Sequence, residues 1–356
     1  MLETETVTSL RAIDLEAENA SVSLPSLMIS ADSHAVEPPE LWAQLSSKTR
    51  DRLTLFQGKN KRPPGGTDPK IRIVDMNRDH VAAEVLFPDN GMGVFRADPD
   101  VQEEAMGLYN QWIADYCATA PNKLFAPASL PCYDIDVAVK ELQRGNDRGL
   151  IGGLIWEVPD PRLPFHSPHY EKLWAAAAEL KVPLMVHILT GFCAAGGPGR
   201  DRSMESVRTT TNARLNEQNT ALFDMIWSGV FDRYPALKFG MIESEVGFIP
   251  FMLQQWDFYY QRMHKTGDAG NFKISRKPSE IFRDHVVATF IDDEVGGKLL
   301  ETWGEDNCMW SSDYPHPNMT WPHSRAFAAR QIGHLPVEKQ EKLLSKNAIK
   351  FFQLPF

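Results

Sequence analysis

Cysteine is scarce in this 356-residue chain: Cys117, Cys132, Cys193 and Cys308 are scattered, with no CxxC pair. That spacing argues against a disulfide framework or a thiolate zinc site, and favours buried free thiols in a reducing, cytoplasmic setting. No apolar run approaches the ~20 residues that a membrane span requires. Residues 1–20 are polar and acidic and lack the apolar stretch of a secretory signal. Basic charge is outweighed, with 37 Lys and Arg against 47 Asp and Glu, a formal charge of −10. A general nucleic-acid binder needs a basic face to displace counterions, so that class is set aside. Neither GxGxxG nor GxxxxGK[ST] occurs, which removes two common phosphate-binding turns.

What is present is ordinary globular material, 43% hydrophobic and 24% charged. Residues 1–24 carry charge and Ser/Thr without an apolar period and read as a flexible N-terminal arm, leaving 25–356 as one domain. Eight short apolar runs follow, at 26–31, 83–88, 124–130, 153–158, 182–188, 238–244, 286–290 and 308–312. Each is apolar on both faces, as buried parallel strands are. Helical spacing appears at 100–118, 168–180, 248–264, 293–303 and 337–352. Strands alternating with helices predict an α/β fold, a (β/α)8 TIM-type barrel of ~250 residues with room for insertions. An open doubly wound sheet is the alternative, and it should bring a Gly-rich turn after its first strand.

Two insertions follow the first and fifth strands. Residues 42–70 contain KNKRPPGGTDPK and read as a surface loop. Residues 189–211 hold Gly191, Gly196, Gly197 and Gly199 and read either as a mobile lid or as plain flexible surface.

Barrel active sites lie at the C-terminal ends of the strands, and polar residues gather there. The first run ends in Asp32-Ser33-His34, the fifth reaches His187, the sixth contains Glu243, and Asp313 follows the eighth. Alternation along a strand puts Asp32 and His34 on one side. A lone histidine or aspartate at a strand end is more often structural. Four strand ends carrying such groups together point to a divalent metal, with Zn, Mn and Fe all accepting mixed nitrogen and oxygen ligands.

The segments ISADSHAVEPPELW (29–42), VPLMVH (182–187), KFGMIESEVGFIP (238–250) and MWSSDYPHP (309–317) resemble the amidohydrolase superfamily. The likeness is greatest to its amidohydrolase-related branch, with aminocarboxymuconate-semialdehyde, resorcylate and carboxyvanillate decarboxylases. The resemblance implies a distorted (β/α)8 barrel with one or two divalent ions. It implies metal ligation by Asp32, His34, His187 and Asp313, with Asp313 also moving protons. The first-strand motif is usually HxH or ExH, and here it is Asp32-x-His34. Glu243 stands where several members carry a histidine, so it is a candidate for metal binding or acid–base work.

His316, three residues after Asp313, is a candidate partner for that carboxylate or an ordinary turn histidine. Glu37 either orients His34, binds substrate or starts a helix. Arg202 and Arg208 are candidate clamps for an anionic substrate, or solvated charges. Trp156, Trp310 and Trp321 lie near the expected mouth, with Trp310 favoured to stack on a ring; His166 and His169 read as surface or substrate-loop residues.

The resemblance and the candidate site together predict non-oxidative decarboxylation of a small aromatic or cyclic carboxylate. Hydrolysis of an amide, ester, lactone or carbon–carbon bond is the alternative, since metal-bound water serves it equally. Di-iron oxygen chemistry and a non-catalytic binding barrel rank lower. A homodimer is expected, with neither nucleic acid nor membrane as partner.

Overall fold

A computed structural model describes residues 22–53, 55–56, 62–193, 203–271 and 273–356. Its strands are β1 (Ile29–Ala35), β2 (Ala83–Pro88), β3 (Leu124–Phe125), β4 (Ala128–Ser129), β5 (Gly153–Ile155), β6 (Leu184–His187), β7 (Phe239–Ile242), β8 (Val286–Phe290) and β9 (Cys308–Trp310). Every neighbouring pair is parallel, in the orders β1-β2-β3 and β4-β5-β6-β7-β8-β9.

The third predicted run is thus divided, with β3 pairing to β2 and β4 to β5. Pro127 lies in the break, and its nitrogen has no hydrogen to give a ladder. Residues 124–129 still form one stave. The ring closes where β1 meets the segment after β9: Asp313 donates its backbone N–H to Asp32 O (3.0 Å) and His34 donates its own to Tyr314 O (2.7 Å). Eight staves result among the described residues, each buried along its length, as the apolar runs predict for a (β/α)8 barrel.

Helices cover the strands. Pro99–Ala118 buries Val101, Ala105, Tyr109 and Ile113, four residues on one helical stripe. Ile135–Asp147, absent from the sequence reading, starts at Asp134, whose carboxylate accepts from the N–H groups of Asp136 and Val137. The 168–180 stretch opens as a single 3-10 turn before the helix Glu171–Leu180. The expected 293–303 helix is only Glu294–Leu299, where Gly296 and Gly297 lower helix propensity. The 337–352 stretch is helical but contains a π turn at Lys342–Lys346.

The insertion after β1 is not wholly a surface loop. Gly65 and Gly66 are buried, and Arg72 ties this segment down through Nε to Gly65 O (3.1 Å) and Nη1 to Glu84 (2.6 Å). Residues 57–61 of that insertion lie outside the described residues, as do Gly196, Gly197, Gly199 and Arg202 of the second. Gly191 is packed rather than loose: its φ is +77°, and an added Cβ would collide with Val158 O. Of the predicted 1–24 arm, residues 1–21 lie outside the described residues, while Leu24 already pairs with Arg325 through its carbonyl, as does Pro25 at the start of the predicted domain. Among the described residues no disulfide forms, and all four cysteines are buried.

Candidate metal centre

β1 carries Asp32 and His34, β6 ends on His187, Glu243 follows β7 directly, and Asp313 lies three residues past β9. A register shift between Ser30 and Ser33 interrupts the β1–β2 ladder at Asp32. Such bulges re-aim side chains beside active sites. Glu243 (φ +55°) and Asp313 (φ +53°) both turn out of their strands through the left-handed region. For non-glycine residues this costs ~1–3 kcal/mol each, a strain found mostly at functional positions.

The two histidines are oriented alike. His34 Nδ1 donates to Pro88 O (2.8 Å) and His187 Nδ1 to Ile188 O (2.9 Å). With the proton fixed on Nδ1, each ring offers its Nε2 lone pair to the interior. Those Nε2 atoms lie 3.6 and 3.4 Å from Asp32 Oδ1, and His34 Nε2 is 3.2 Å from Asp313 Oδ1. Asp32, His34, His187 and Asp313 are at most 1% exposed. Both oxygens of each aspartate and both Nε2 atoms are buried without a well-formed hydrogen bond. Buried lone pairs left this way are costly, and one cation among them would satisfy the set. Asp32, His34, His187 and Glu243 can each place a ligand atom within 4.8 Å of the others, and so can His34, Glu243, Asp313 and His316. The donor chemistry fits a divalent metal of the Zn, Mn or Fe type.

Glu243 is only partly free for such an ion. Arg214 grips it from the π turn Arg214–Gln218, through Nη2 to Oε1 (2.9 Å) and Nε to its backbone O (3.0 Å). Oε2 remains, 3.8 Å from His187 Nε2. Burial, and then the charge of Asp313, push the Glu243 carboxyl up to about 7.

His316 does meet Asp313. Its ring stacks on His34 with centroids 3.8 Å apart, and its Nδ1 lies 2.9 Å from Asp313 Oδ1. Its Nε2 donates to Asp89 Oδ1 at 2.8 Å. Burial alone would lower the His316 imidazole, yet the carboxylates of Asp313 and Asp89 raise it to about 10. Burial would likewise raise Asp313, but His316 and His34 outweigh it and hold that carboxyl well below the usual range.

Two candidates, Glu37 and Trp310, are placed differently from expectation, while Arg208 takes the solvated-charge alternative. Glu37 does not reach His34 or open space: its oxygens accept the backbone N–H groups of Asp89 (3.2 Å), Asn90 (2.9 Å) and Gly91 (3.1 Å). A carboxylate so occupied has little capacity left for a substrate, so its work is to fix that turn. Trp310 is wholly buried in the core, as is Trp156, while Trp321 donates its indole N–H to Asp75 O. Arg208 is exposed and pairs with Glu205. His169, read as a surface or substrate-loop residue, instead has its Nε2 on Cys132 O (2.8 Å).

Arg214 and Asp89 are additions from the structure. Asp89 directly follows β2, so extending the strand-end criterion to the second run would have found it. Arg214 lies within a helical segment and carries no such local signal.

A (β/α)8 barrel with imidazole and carboxylate groups converging at its strand ends defines a metal-dependent enzyme of the amidohydrolase type. The chain belongs to the amidohydrolase family, whose model matches residues 30–354. It is 26% identical over 308 residues to a gamma-resorcylate decarboxylase of a Rhizobium species, covering 81% of this chain and 84% of that one. A 5-carboxyvanillate decarboxylase structure from Sphingomonas paucimobilis superposes with TM-score 0.72 at 20% identity, covering 93% of this chain and 100% of its own. A dihydroxybenzoic acid decarboxylase from Polaromonas, with bound manganese and 2-nitroresorcinol, gives 0.68 at 21%, covering 93% and 98%.

Proposed function

We propose that the chain is a metal-dependent decarboxylase of a small carboxylated ring compound, with one manganese, zinc or iron ion held by Asp32, His34, His187 and Asp313. The observation that carries this is the convergence of their buried, unsatisfied lone pairs. Among the described residues, Asp32, His34 and His187 fall in one four-residue set and His34 and Asp313 in another, with Glu243 in both as a further candidate ligand; the shared His34 and Glu243 favour one ion over two. Relatives named for resorcylate and carboxyvanillate support an aromatic carboxylate as substrate. The metal, when bound, supplies positive charge to hold a substrate oxygen and to stabilise the charge that develops on the ring.

Asp313 is the proton carrier in this proposal. His34 and His316 both crowd its Oδ1, leaving Oδ2 to take a proton from a substrate hydroxyl or water. Oδ2 then returns that proton to the ring carbon bearing the carboxylate. The carbon–carbon bond breaks, carbon dioxide departs, and the bonding pair restores the ring. Glu243, braced by Arg214, contributes a second acid–base group at the rim. The same ionised Asp313 also suits activation of water, so hydrolysis stays as the second reading.

The proposal includes a 1–24 arm, a 25–356 catalytic domain, and a cytoplasmic homodimer. Phe251, Phe258 and Tyr259 on the helix Ile249–Thr266 are 61%, 59% and 48% exposed and offer apolar surface for self-association. Incubating manganese-loaded protein with hydroxylated benzoates in heavy-oxygen, deuterated water tests the reaction. Carbon dioxide release with deuterium at the vacated ring position is expected. A product carrying solvent oxygen, with no carbon dioxide, would instead establish the hydrolase.

A further inference from the structure

His316 approaches Asp313 from one side, and on its other side stands a group that the reaction itself does not call for. Asp89 Oδ1 accepts from His316 Nε2 (2.8 Å) and also from Arg62 Nη2 (2.9 Å). Asp89 is 5% exposed and His316 is only slightly open to solvent, so few alternative partners compete for the ring. The turn bearing Asp89 is fixed in its own right, because Glu37 accepts its three consecutive N–H groups. The same turn needs glycine at 91, where an added Cβ would lie 2.7 Å from Glu37 Oε1.

We infer that Asp89 is a positioning residue: held by Glu37 through the backbone and by Arg62 through its side chain, it sets the His316 ring against Asp313. The inference rests on the proposed role of Asp313, and it assigns work to a residue 227 positions from His316 in sequence. An imidazole held at only one nitrogen can rotate about its side-chain bonds. Anchoring Nε2 at Asp89 fixes the plane of the ring, and with it the place of Nδ1 beside Asp313 Oδ1. It also keeps the ring stacked 3.8 Å from His34, so that both imidazoles approach the same oxygen of Asp313. Asp313 Oδ2 is thereby left as the oxygen facing the reaction. Arg62 extends the arrangement to the insertion after β1, where Gly65 and Gly66 are buried and Gly66 O accepts from Val36 N–H just past β1 (2.9 Å).

The test uses Asp89→Ala and the isosteric Asp89→Asn in the zinc- or manganese-loaded full chain. The expected result is a kcat lowered ~10–100-fold in Asp89→Ala, as for other groups that orient a working side chain. KM should change less than about threefold and metal per chain should hold, with Asp89→Asn recovering part of the loss because its amide oxygen still accepts. A kcat within twofold of wild type in folded Asp89→Ala would overturn the inference. So would metal loss in step with activity, or a rise in KM alone. Nitrogen-15 NMR of the histidine rings in the zinc protein gives a readout that needs no turnover. The His316 Nε2 resonance should move in Asp89→Asn while those of His34 and His187 stay; an unmoved His316 signal overturns the inference. A wild type that decarboxylates nothing would defeat the proposed reaction and leave this NMR result to decide on Asp89.

Discussion

His34 and His187 each have one nitrogen committed to a backbone carbonyl, so the remaining lone pair is what the site depends on. His187→Ala removes such a lone pair from a fully buried position. It should weaken metal binding by more than ~100-fold, since even outer hydrogen-bond partners of ligands are worth ~10–100-fold. Asp313→Asn keeps the shape but removes a charge and should abolish turnover, with a smaller loss of metal. Elemental analysis beside kcat checks both, and a His187→Ala protein with full metal content would contradict the ligand set. The meeting of Asp32, His34, His187, Glu243 and Asp313 could be anticipated in sequence because each lies within or just beyond a strand, which the apolar runs mark. The pairs Arg214–Glu243 and Asp89–His316 join residues 29 and 227 apart, and no local pattern encodes such a meeting. Glu37 shows the reverse: its residue type was informative, but its partners are backbone groups that any sequence would offer.

At the level of elements, all eight staves were visible as apolar runs, because a buried parallel strand shows the same apolar character on both faces. The break at Pro127 was not foreseen: 124–130 read as one run, and assigning β3 and β4 to separate ladders needed the neighbouring strands in place. In the 189–211 insertion the outcome can be read at Gly191, the other three glycines lying outside the described residues. Glycine there suggested looseness, whereas Gly191 itself forms a bridge with Val158, and Phe192 donates to Val158 O at 2.8 Å. Gly191→Ala places a side chain on φ +77° and against that carbonyl. It should cost about 1–3 kcal/mol of stability and raise KM, because the turn after His187 is displaced. Denaturant unfolding of the two proteins measures the first effect. Equal midpoints would mean that this segment does not bear on the folded state.

For the molecule as a whole, the buried acids set a pH dependence whose sign can be worked out. Burial raises Glu37 to about 8 and Asp79, Glu243 and Glu245 to about 7. The unfolded chain releases these protons near the ordinary carboxylate values, so between there and about pH 7–8 the folded state holds more protons. Stability contributed by the neutral acids is therefore lost as pH rises through that window. His316, raised from 6.5 to about 10, acts in the same direction at higher pH. Asp89 and Asp313 act oppositely: both are held below the usual range, so their contribution is lost as pH falls through the acid region. The metal-free protein should then be most stable at about pH 5, below neutrality. A divalent ion changes this balance because it binds the ionised carboxylates and the unprotonated imidazoles, and every proton removed favours it. Saturating metal adds ~3–4 kcal/mol at 100 to 1,000 times its dissociation constant, and that constant itself falls as pH rises. Thermal unfolding from pH 4 to 9, with chelator and with manganese, measures the difference directly. The manganese increment should grow with pH and move the stability maximum toward neutrality. An increment that stayed flat across the range would mean that the ion is not bound by the titrating groups of this cluster.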